Sequence, residues 1–152
     1  MKILVVEDDH LQADWICQNL EGEFVGAEIQ RISTELEFRS RLIDGDLGKE
    51  PPDVIIMDVM LRWADPSPDL QPPPDDVRDE GFYNAGLRCE KLLDQDETTR
   101  HIPVILYTVL ERSDLSKQLR GMRRNVQYLP KESDPKPLSQ LIRTMTRKRQ
   151  DS

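Results

Sequence analysis

Six side chains with charged or hydroxyl groups stand at the ends of short apolar runs in this sequence. They are Glu7, Asp8 and Asp9 after residues 3–6, Asp58 after 54–57, Thr108 after 104–107, and Lys131 shortly after 126–129. Crowded carboxylates repel one another, and a hard divalent cation such as Mg²⁺ would relieve that repulsion. A hydroxyl can donate to a phosphoryl oxygen, and an ammonium can balance its charge. The set therefore indicates phosphoryl-transfer chemistry, provided that the fold gathers these run ends.

Each of these residues also has an ordinary structural explanation when it is considered alone. An acidic residue just before a helix is typical of an N-cap, and we expect Asp9 to cap the first helix. An isolated Asp58 or Thr108 would more often be a loop residue, and an isolated Lys131 would more often be solvated. Their joint occurrence at the ends of successive apolar runs favours the functional interpretation.

The apolar runs predict strands, and the stretches between them predict helices. Continuous, mostly β-branched runs are typical of strands that are covered on both faces, and they lie at 3–6, 54–57, 104–109 and 126–129, with a weaker strand predicted at 27–32. Apolar stripes at helical spacing follow the strands, with helix starts expected at or near Asp9, Thr34, Phe82, Ser113 and Asp134. The order βαβαβαβαβα predicts a doubly wound parallel sheet with ligands at the carboxyl ends of its strands.

One segment, residues 62–80, interrupts this alternation between the third strand and the third predicted helix. It contains five prolines and six acidic residues, whereas such connections usually span about 2–6 residues. With few apolar anchors, it is expected to be extended or mobile and to contribute nothing to the core. Two interpretations stay open: a solvated insertion, or a lid or docking element beside the site.

The composition indicates one acidic, soluble domain. The chain has 152 residues and a net charge of −8; residues 1–119 carry −14 and residues 120–152 carry +6. This balance argues against direct nucleic-acid binding, and we interpret the basic end as the solvated close of a last helix. Two cysteines do not support a disulfide framework. Without an apolar run of about 18 residues or a signal peptide, we expect a cytoplasmic protein with no membrane contact.

Four motifs together resemble one known family. They are LVVEDD at the first strand, DVIIMDVML at the third, PVILYT at the fourth and YLPK at the fifth. Over nearly its whole length the chain resembles a receiver domain of the two-component response regulators. The resemblance implies a flavodoxin-like, five-stranded parallel (βα)5 sheet in the order 2-1-3-4-5. We expect the receiver domain at 1–149, with 62–80 inserted in it, and a tail at 150–152.

The resemblance also implies a role for each residue of the set. Asp58 would be the phosphoacceptor, Lys131 would contact the phosphoryl group, and Thr108 would move towards it. The implied Mg²⁺ site, which Mn²⁺ could also fill, comprises Asp8, Asp58 and the backbone carbonyl of Met60, with Glu7 acting mainly through water. Tyr128 would be the aromatic residue whose rotation reports phosphorylation, although a half-buried strand aromatic is an equally ordinary interpretation.

The sequence departs from the family pattern at three places. Arg62 stands where a proline is expected shortly after DVML, and Glu132 replaces the proline that usually follows the lysine. In the family the bond before that second proline is commonly cis, so the geometry at Lys131 is open. The insertion at 62–80 is the third departure. None of the three removes a residue of the phosphorylation set.

The functional expectation is a single-domain response regulator, a signalling switch rather than a turnover enzyme. Its expected partners are a histidine kinase or histidine phosphotransfer protein as donor, a downstream protein target, and a second copy of the chain if it dimerises. An alternative is a docking module of receiver type that acts without phosphorylation. A magnesium-dependent phosphatase with an aspartyl nucleophile is disfavoured, because Met60 stands where that chemistry needs a second aspartate.

Overall fold

Five parallel strands form one sheet in the computed structural model, which describes residues 1–123 and 125–150, and only the backbone of 148–150. The strands are β1 (Lys2–Val6), β2 (Glu28–Ile32), β3 (Val54–Met57), β4 (Val104–Thr108) and β5 (Val126–Pro130). Their order is β2-β1-β3-β4-β5, and Ile3 of β1 lies opposite both Ile29 and Val54. The predicted flavodoxin-like sheet is therefore confirmed.

Seven α-helices and one 3-10 turn connect the strands in the described chain. They are α1 (His10–Glu23), α2 (Glu35–Ile43), α3 (Asp46–Lys49), α4 (Asp75–Glu80), the turn Phe82–Asn84, α5 (Ala85–Gln95), α6 (Arg112–Arg120) and α7 (Lys136–Gln150). Five of these helices, all except α3 and α4, occur where the periodicity predicts them. Residues 151 and 152 of the predicted tail lie outside the described residues.

Helix starts follow the capping chemistry in two cases and depart from it in a third. Asp9 caps α1, accepting a bond from the N–H of Gln12 at 3.0 Å, and Thr34 caps α2 in the same way through Glu37 at 3.2 Å. The expected cap at Ser113 is wrong. Helix α6 begins at Arg112, and its N-cap residue Glu111 donates its N–H to the Asp114 side chain at 3.2 Å.

The core forms two layers because successive residues of a buried strand point to opposite faces. On one face, Leu4 and Val6 of β1 pack with residues of α2, α3, α5 and α6. On the other face, Ile3 and Val5 pack with residues of α1 and α7. Helices on both faces explain why the central strands β1, β3 and β4 are nearly continuously apolar rather than alternating.

The inserted segment is more ordered than its composition predicts. Residues 62–74 contain no helix or strand, but residues 75–80 form α4, and Val77 of that helix is only 5% exposed. Two ion pairs fix α4 to the body: Arg39 to Asp76 at 2.9 Å and Arg88 to Glu80 at 3.3 Å. The prediction of a segment without core contacts is therefore wrong for α4, because these distant arginines compensate its acidic charge.

Within residues 1–123 and 125–150, none of the helices combines the length and the hydropathy that a membrane crossing requires.

Candidate functional site

Three carboxylates meet where β1 and β3 end side by side. The N–H of Glu7 donates to the carbonyl of Ile32, and the N–H of Asp58 donates to that of Val6, each at 3.0 Å. One carboxylate oxygen from each of Glu7, Asp8 and Asp58 lies within 4.8 Å of the others. Glu7 and Asp58 are buried, and Asp8 is half-buried. Three hard oxygen donors at this spacing suit a divalent cation such as Mg²⁺ or Mn²⁺.

Lys131 extends from the end of β5 across β4 to these acids. Its N–H donates to the carbonyl of Thr108 at 2.8 Å, which fixes the backbone at this point. Its Nζ donates to Asp58 Oδ2 at 3.0 Å and also to Glu7 Oε1. No peptide bond among the described residues is cis, so the bond to Glu132 is trans. Glu132 in place of the expected proline therefore leaves Lys131 at the acids.

The side chain of Asp58 is held from two directions. Its Oδ1 accepts bonds from the backbone N–H groups of Val59 at 2.7 Å and Met60 at 3.4 Å, while its Oδ2 faces Lys131. Fixed donors on both oxygens set the orientation of the carboxylate before any substrate arrives. Asp58 is thus held in a fixed orientation at the rim of the acid cluster.

Thr108 and Tyr128 both contact the backbone of Leu110 rather than the carboxylates. Thr108 is fully buried, and its Oγ1 accepts a bond from the N–H of Leu110 at 3.2 Å. The hydroxyl of Tyr128 donates to the carbonyl of Leu110 at 2.6 Å, and the Arg112 guanidinium carbon lies 5.8 Å from the centre of its ring. The two predicted switch residues therefore share a contact to the loop after β4.

The electrostatics of the cluster reflect an excess of negative charge. Burial, together with the negative charge of Asp58, raises the pKa of Glu7 to about 8, although Lys131 opposes the shift. Burial alone would lower the pKa of Lys131, but the carboxylates of Asp58 and Glu7 outweigh it and raise that pKa above its ordinary value. The lysine therefore stays charged, and the cluster retains capacity for a further cation.

The metal-free chain is expected to become less stable as pH rises from 4.5 to about 8, because Glu7 ionises earlier in the unfolded than in the folded state. The pKa of Glu7 is about 8 in the folded chain against an ordinary value of 4.5, so the folded state holds the proton more tightly, and its contribution to stability declines as pH rises from 4.5 to about 8. The Glu7→Gln variant should match the wild type near pH 4, below the ordinary pKa of glutamate, and exceed its unfolding free energy by about 1–3 kcal/mol near pH 8.

Urea denaturation in a chelating buffer at both pH values measures this difference. Glu97→Gln is the matched control, since the Glu97 side chain is 91% exposed and lies outside the acid cluster. A constant difference between wild type and Glu7→Gln across the pH range would contradict the prediction.

Two residues at the site, Arg62 and Gly86, make hydrogen bonds that the sequence did not indicate. Arg62, noted only as a departure from the family pattern, donates its N–H to Asp8 Oδ2 at 3.0 Å and its guanidinium to the Asp8 carbonyl at 2.7 Å. Gly86, at the start of α5, donates its N–H to the carbonyl of Val59 at 2.8 Å. Neither contact has a local sequence signal, because each joins the segment that follows β3 to a distant part of the chain.

Similarity to curated proteins points to response regulators. The chain is 32% identical over 148 residues to the response regulator PleD of Caulobacter vibrioides, which corresponds to 96% of this chain and 26% of PleD. The chain therefore spans about a quarter of the length of that relative. No protein-family model matches the chain.

Solved structures with the same fold include proteins that carry metals or phosphoryl groups. The phosphorylated cyanobacterial phytochrome response regulator RcpA matches with a TM-score of 0.66 and 20% identity, over 95% of this chain and 89% of its own. The Mn²⁺-bound response regulator Rcp1 matches with a TM-score of 0.65 and 20% identity, over 95% of this chain and 90% of its own. A third match is the receiver domain of the sensor histidine kinase PA1611 from Pseudomonas aeruginosa, which has magnesium in its active-site cleft. Its TM-score is 0.64 at 20% identity, over 95% of this chain and 96% of its own.

The order of the strands, the cluster of three carboxylates and the similarity to PleD are each consistent with the resemblance to receiver domains. The predicted resemblance is confirmed: the chain has the fold of response-regulator receiver domains, and 96% of it is similar to part of the response regulator PleD.

Proposed function

We propose that Asp58 accepts a phosphoryl group from a histidine kinase or histidine phosphotransfer protein in the cytoplasm, and that the modified domain signals to a protein partner. One observation carries the proposal: the buried Asp58 carboxylate lies between Lys131 and two further carboxylates at the carboxyl edge of the sheet. A nucleophile, a fixed cation and a set of metal ligands at one point are the components of phosphoryl transfer.

The chemical step is a displacement at phosphorus. The carboxylate of Asp58 attacks the phosphorus of a phosphohistidine, a P–O bond forms, and the P–N bond breaks with its electron pair returning to the imidazole. The backbone N–H groups of Val59 and Met60 keep the carboxylate oriented. The ammonium of Lys131 balances the charge of the phosphoryl oxygens, so that catalysis rests on positioning and charge neutralisation.

The donor set fits a hard divalent cation. Bound Mg²⁺, or Mn²⁺ in its place, would neutralise charge on the transferring phosphoryl group. Asp8 and Asp58 would be its direct ligands, Glu7 would act mainly through water, and the Met60 carbonyl would complete the protein's share. The close approach of three carboxylates with too little compensating charge supports this assignment. So does the metal in two structural neighbours.

The same geometry suggests how a switch would operate. If Thr108 turned towards the phosphoryl group, its oxygen would leave the N–H of Leu110, whose carbonyl accepts from Tyr128. Movement of Leu110 would release Tyr128 and repack the face formed by α6, β5 and α7. A downstream target or a second copy of the chain would read this face. The domain would thus be a switch, not a turnover enzyme.

Incubation with Mg²⁺ and acetyl phosphate tests the proposal. We expect intact-protein mass spectrometry to find one added phosphoryl group on the wild type and none on Asp58→Asn. Asp69→Asn, an exposed substitution of the same type in the inserted segment, should be modified like the wild type. Circular dichroism should verify that all three proteins are folded.

The alternative is a docking module that acts without phosphorylation. It draws support from the ordered attachment of α4, which gives the insertion a defined surface beside α5. Absence of modification in the wild type, with acetyl phosphate and with a phosphorylated histidine donor, would favour this alternative.

A further inference from the structure

A second cation stands at the acid cluster besides Lys131. The guanidinium of Arg62 donates to the Asp8 carbonyl at 2.7 Å, and its Nε lies 3.9 Å from Asp8 Oδ2. Lys131 forms ion pairs with Glu7 and Asp58, whereas Arg62 forms an ion pair with Asp8. The three carboxylates therefore face two fixed cations from different elements.

Arg62 is held in this place by contacts that do not involve Asp8. Its carbonyl accepts the N–H of Glu35 at 3.0 Å, and the next carbonyl, that of Trp63, accepts the N–H of Leu36 at 2.8 Å. Both donors belong to the first turn of α2, where backbone N–H groups lack partners within the helix. A further ion pair joins the Arg62 guanidinium to Asp65 at 3.5 Å. The backbone at residue 62 is therefore anchored, and the charge stays close to Asp8.

The side chain and backbone of Arg62 act on Asp8 in different ways. The backbone N–H, which a proline at this position would lack, donates to Asp8 Oδ2 at 3.0 Å and orients that oxygen. The side chain adds a positive charge beside the same oxygen, and a cation at this distance repels another cation that binds there. Any substitution except proline keeps the N–H, so the two contributions can be separated.

We propose that Arg62 is a positioning residue for Asp8 whose side-chain charge competes with Mg²⁺ and lowers the affinity of this receiver domain for the metal. The inference rests on the proposed function for the metal, but not on phosphorylation. A chain with a built-in competitor would need a higher Mg²⁺ concentration before Asp58 is ready to react. The inserted segment, which begins with Arg62, would in this way set the metal requirement of the site.

The test measures Mg²⁺ binding directly, by isothermal titration calorimetry of the full chain with MgCl2 at low ionic strength. Arg62→Gln keeps the backbone N–H and removes the charge, so its Kd for Mg²⁺ should be lower than that of the wild type by about three- to tenfold. Added salt should narrow this gap, because the Arg62 side chain is 41% exposed and its charge is screened.

Two further variants sharpen the comparison. Arg78→Gln removes the same charge from α4, where Arg78 pairs with Asp75 far along the insertion, and its Kd should equal that of the wild type. Arg62→Lys keeps the charge and should bind Mg²⁺ about as weakly as the wild type.

The outcomes separate this inference from the proposed function. If Arg62→Gln binds Mg²⁺ no more tightly than the wild type, or if Arg62→Lys behaves like Arg62→Gln, charge competition is wrong while phosphorylation of Asp58 is unaffected. If the affinities change as expected but Asp58 is not phosphorylated, the proposed function fails and the role of Arg62 stands. Absence of Mg²⁺ binding to the wild type would contradict both.

Discussion

Replacing Lys131 with glutamine should slow phosphorylation of Asp58 by about 100- to 1,000-fold, the usual effect of removing one preorganised charge from a reacting centre. Nζ of Lys131 donates both to Asp58 and to Glu7, and among the described residues no other side-chain cation contacts these two oxygens. Glutamine retains a hydrogen-bond donor but loses the charge. The comparison therefore measures charge neutralisation rather than side-chain bulk.

The same substitution should lower the stability of the metal-free chain and not merely its reactivity. The Lys131 side chain is 10% exposed, and its partners Glu7 and Asp58 are 2% and 8% exposed. Removing one partner of a buried ion pair typically costs about 3–5 kcal/mol, because the remaining charge is left without compensation. Mg²⁺ should restore part of this loss in Lys131→Gln, since the cation would supply the missing positive charge.

Acetyl phosphate kinetics at saturating Mg²⁺ and urea denaturation in a chelating buffer provide the two measurements. Lys136→Gln is the matched control, because Lys136 is exposed at the start of α7 and lies outside the acid cluster. If Lys131→Gln reacts at a rate within about threefold of the wild type, the lysine does not contribute the charge stabilisation expected of it.

The centre of the sheet could be predicted from the sequence because β1, β3 and β4 are buried on both faces. A strand between two helical layers must be apolar at every position, and the run at 54–57 accordingly coincides with β3. Once the strand ends are known, parallel topology places Glu7, Asp58 and Lys131 at a single edge. The candidate site follows from strand ends and topology alone, which explains why its acids and its lysine were predictable together.

The contacts of the insertion could not be predicted, because they depend on partners far apart in the sequence. Glu35 is fully buried, and it accepts bonds from Arg39 at 2.9 Å and from Arg88, 53 residues away, at 2.6 Å. The same two arginines bind Asp76 and Glu80 of α4. An acidic, proline-rich composition predicts disorder only while its charges lack partners, and here the body of the domain provides them.

The need for glycine at position 86 could not be predicted either, because it arises from a contact with residues distant in the sequence. Helix α5 begins beside the segment that follows β3, with the N–H of Gly86 bonded to the carbonyl of Val59 at 2.8 Å. A Cβ at Gly86 would clash with the Asp58 carbonyl oxygen and lie 2.8 Å from the Cα of Val59. Both neighbours are backbone atoms, which cannot rotate away as a flexible side chain would.

Substitution of Gly86 by alanine should therefore destabilise the domain and disturb Asp58 together. We expect the unfolding free energy to fall by about 2–3 kcal/mol, as in other overpacked cores, and phosphorylation to slow because the loop that carries the nucleophile must shift. Gly22→Ala is the matched control. Gly22 lies in α1 with nothing within 4 Å of its added Cβ, so alanine there should stabilise the helix by about 0.5–1 kcal/mol.

Urea denaturation of both glycine variants, followed by acetyl phosphate kinetics on the folded proteins, tests the prediction. It separates the effect of the close contact at Gly86 from that of the higher helix propensity of alanine. Alanine is the better helix former at either position, so helix propensity alone would make both variants more stable than the wild type. Only the close approach of α5 to Asp58 and Val59 gives the two substitutions opposite signs. A stable Gly86→Ala protein that is phosphorylated at the wild-type rate would mean that α5 is not packed this tightly against the backbone of Asp58 and Val59.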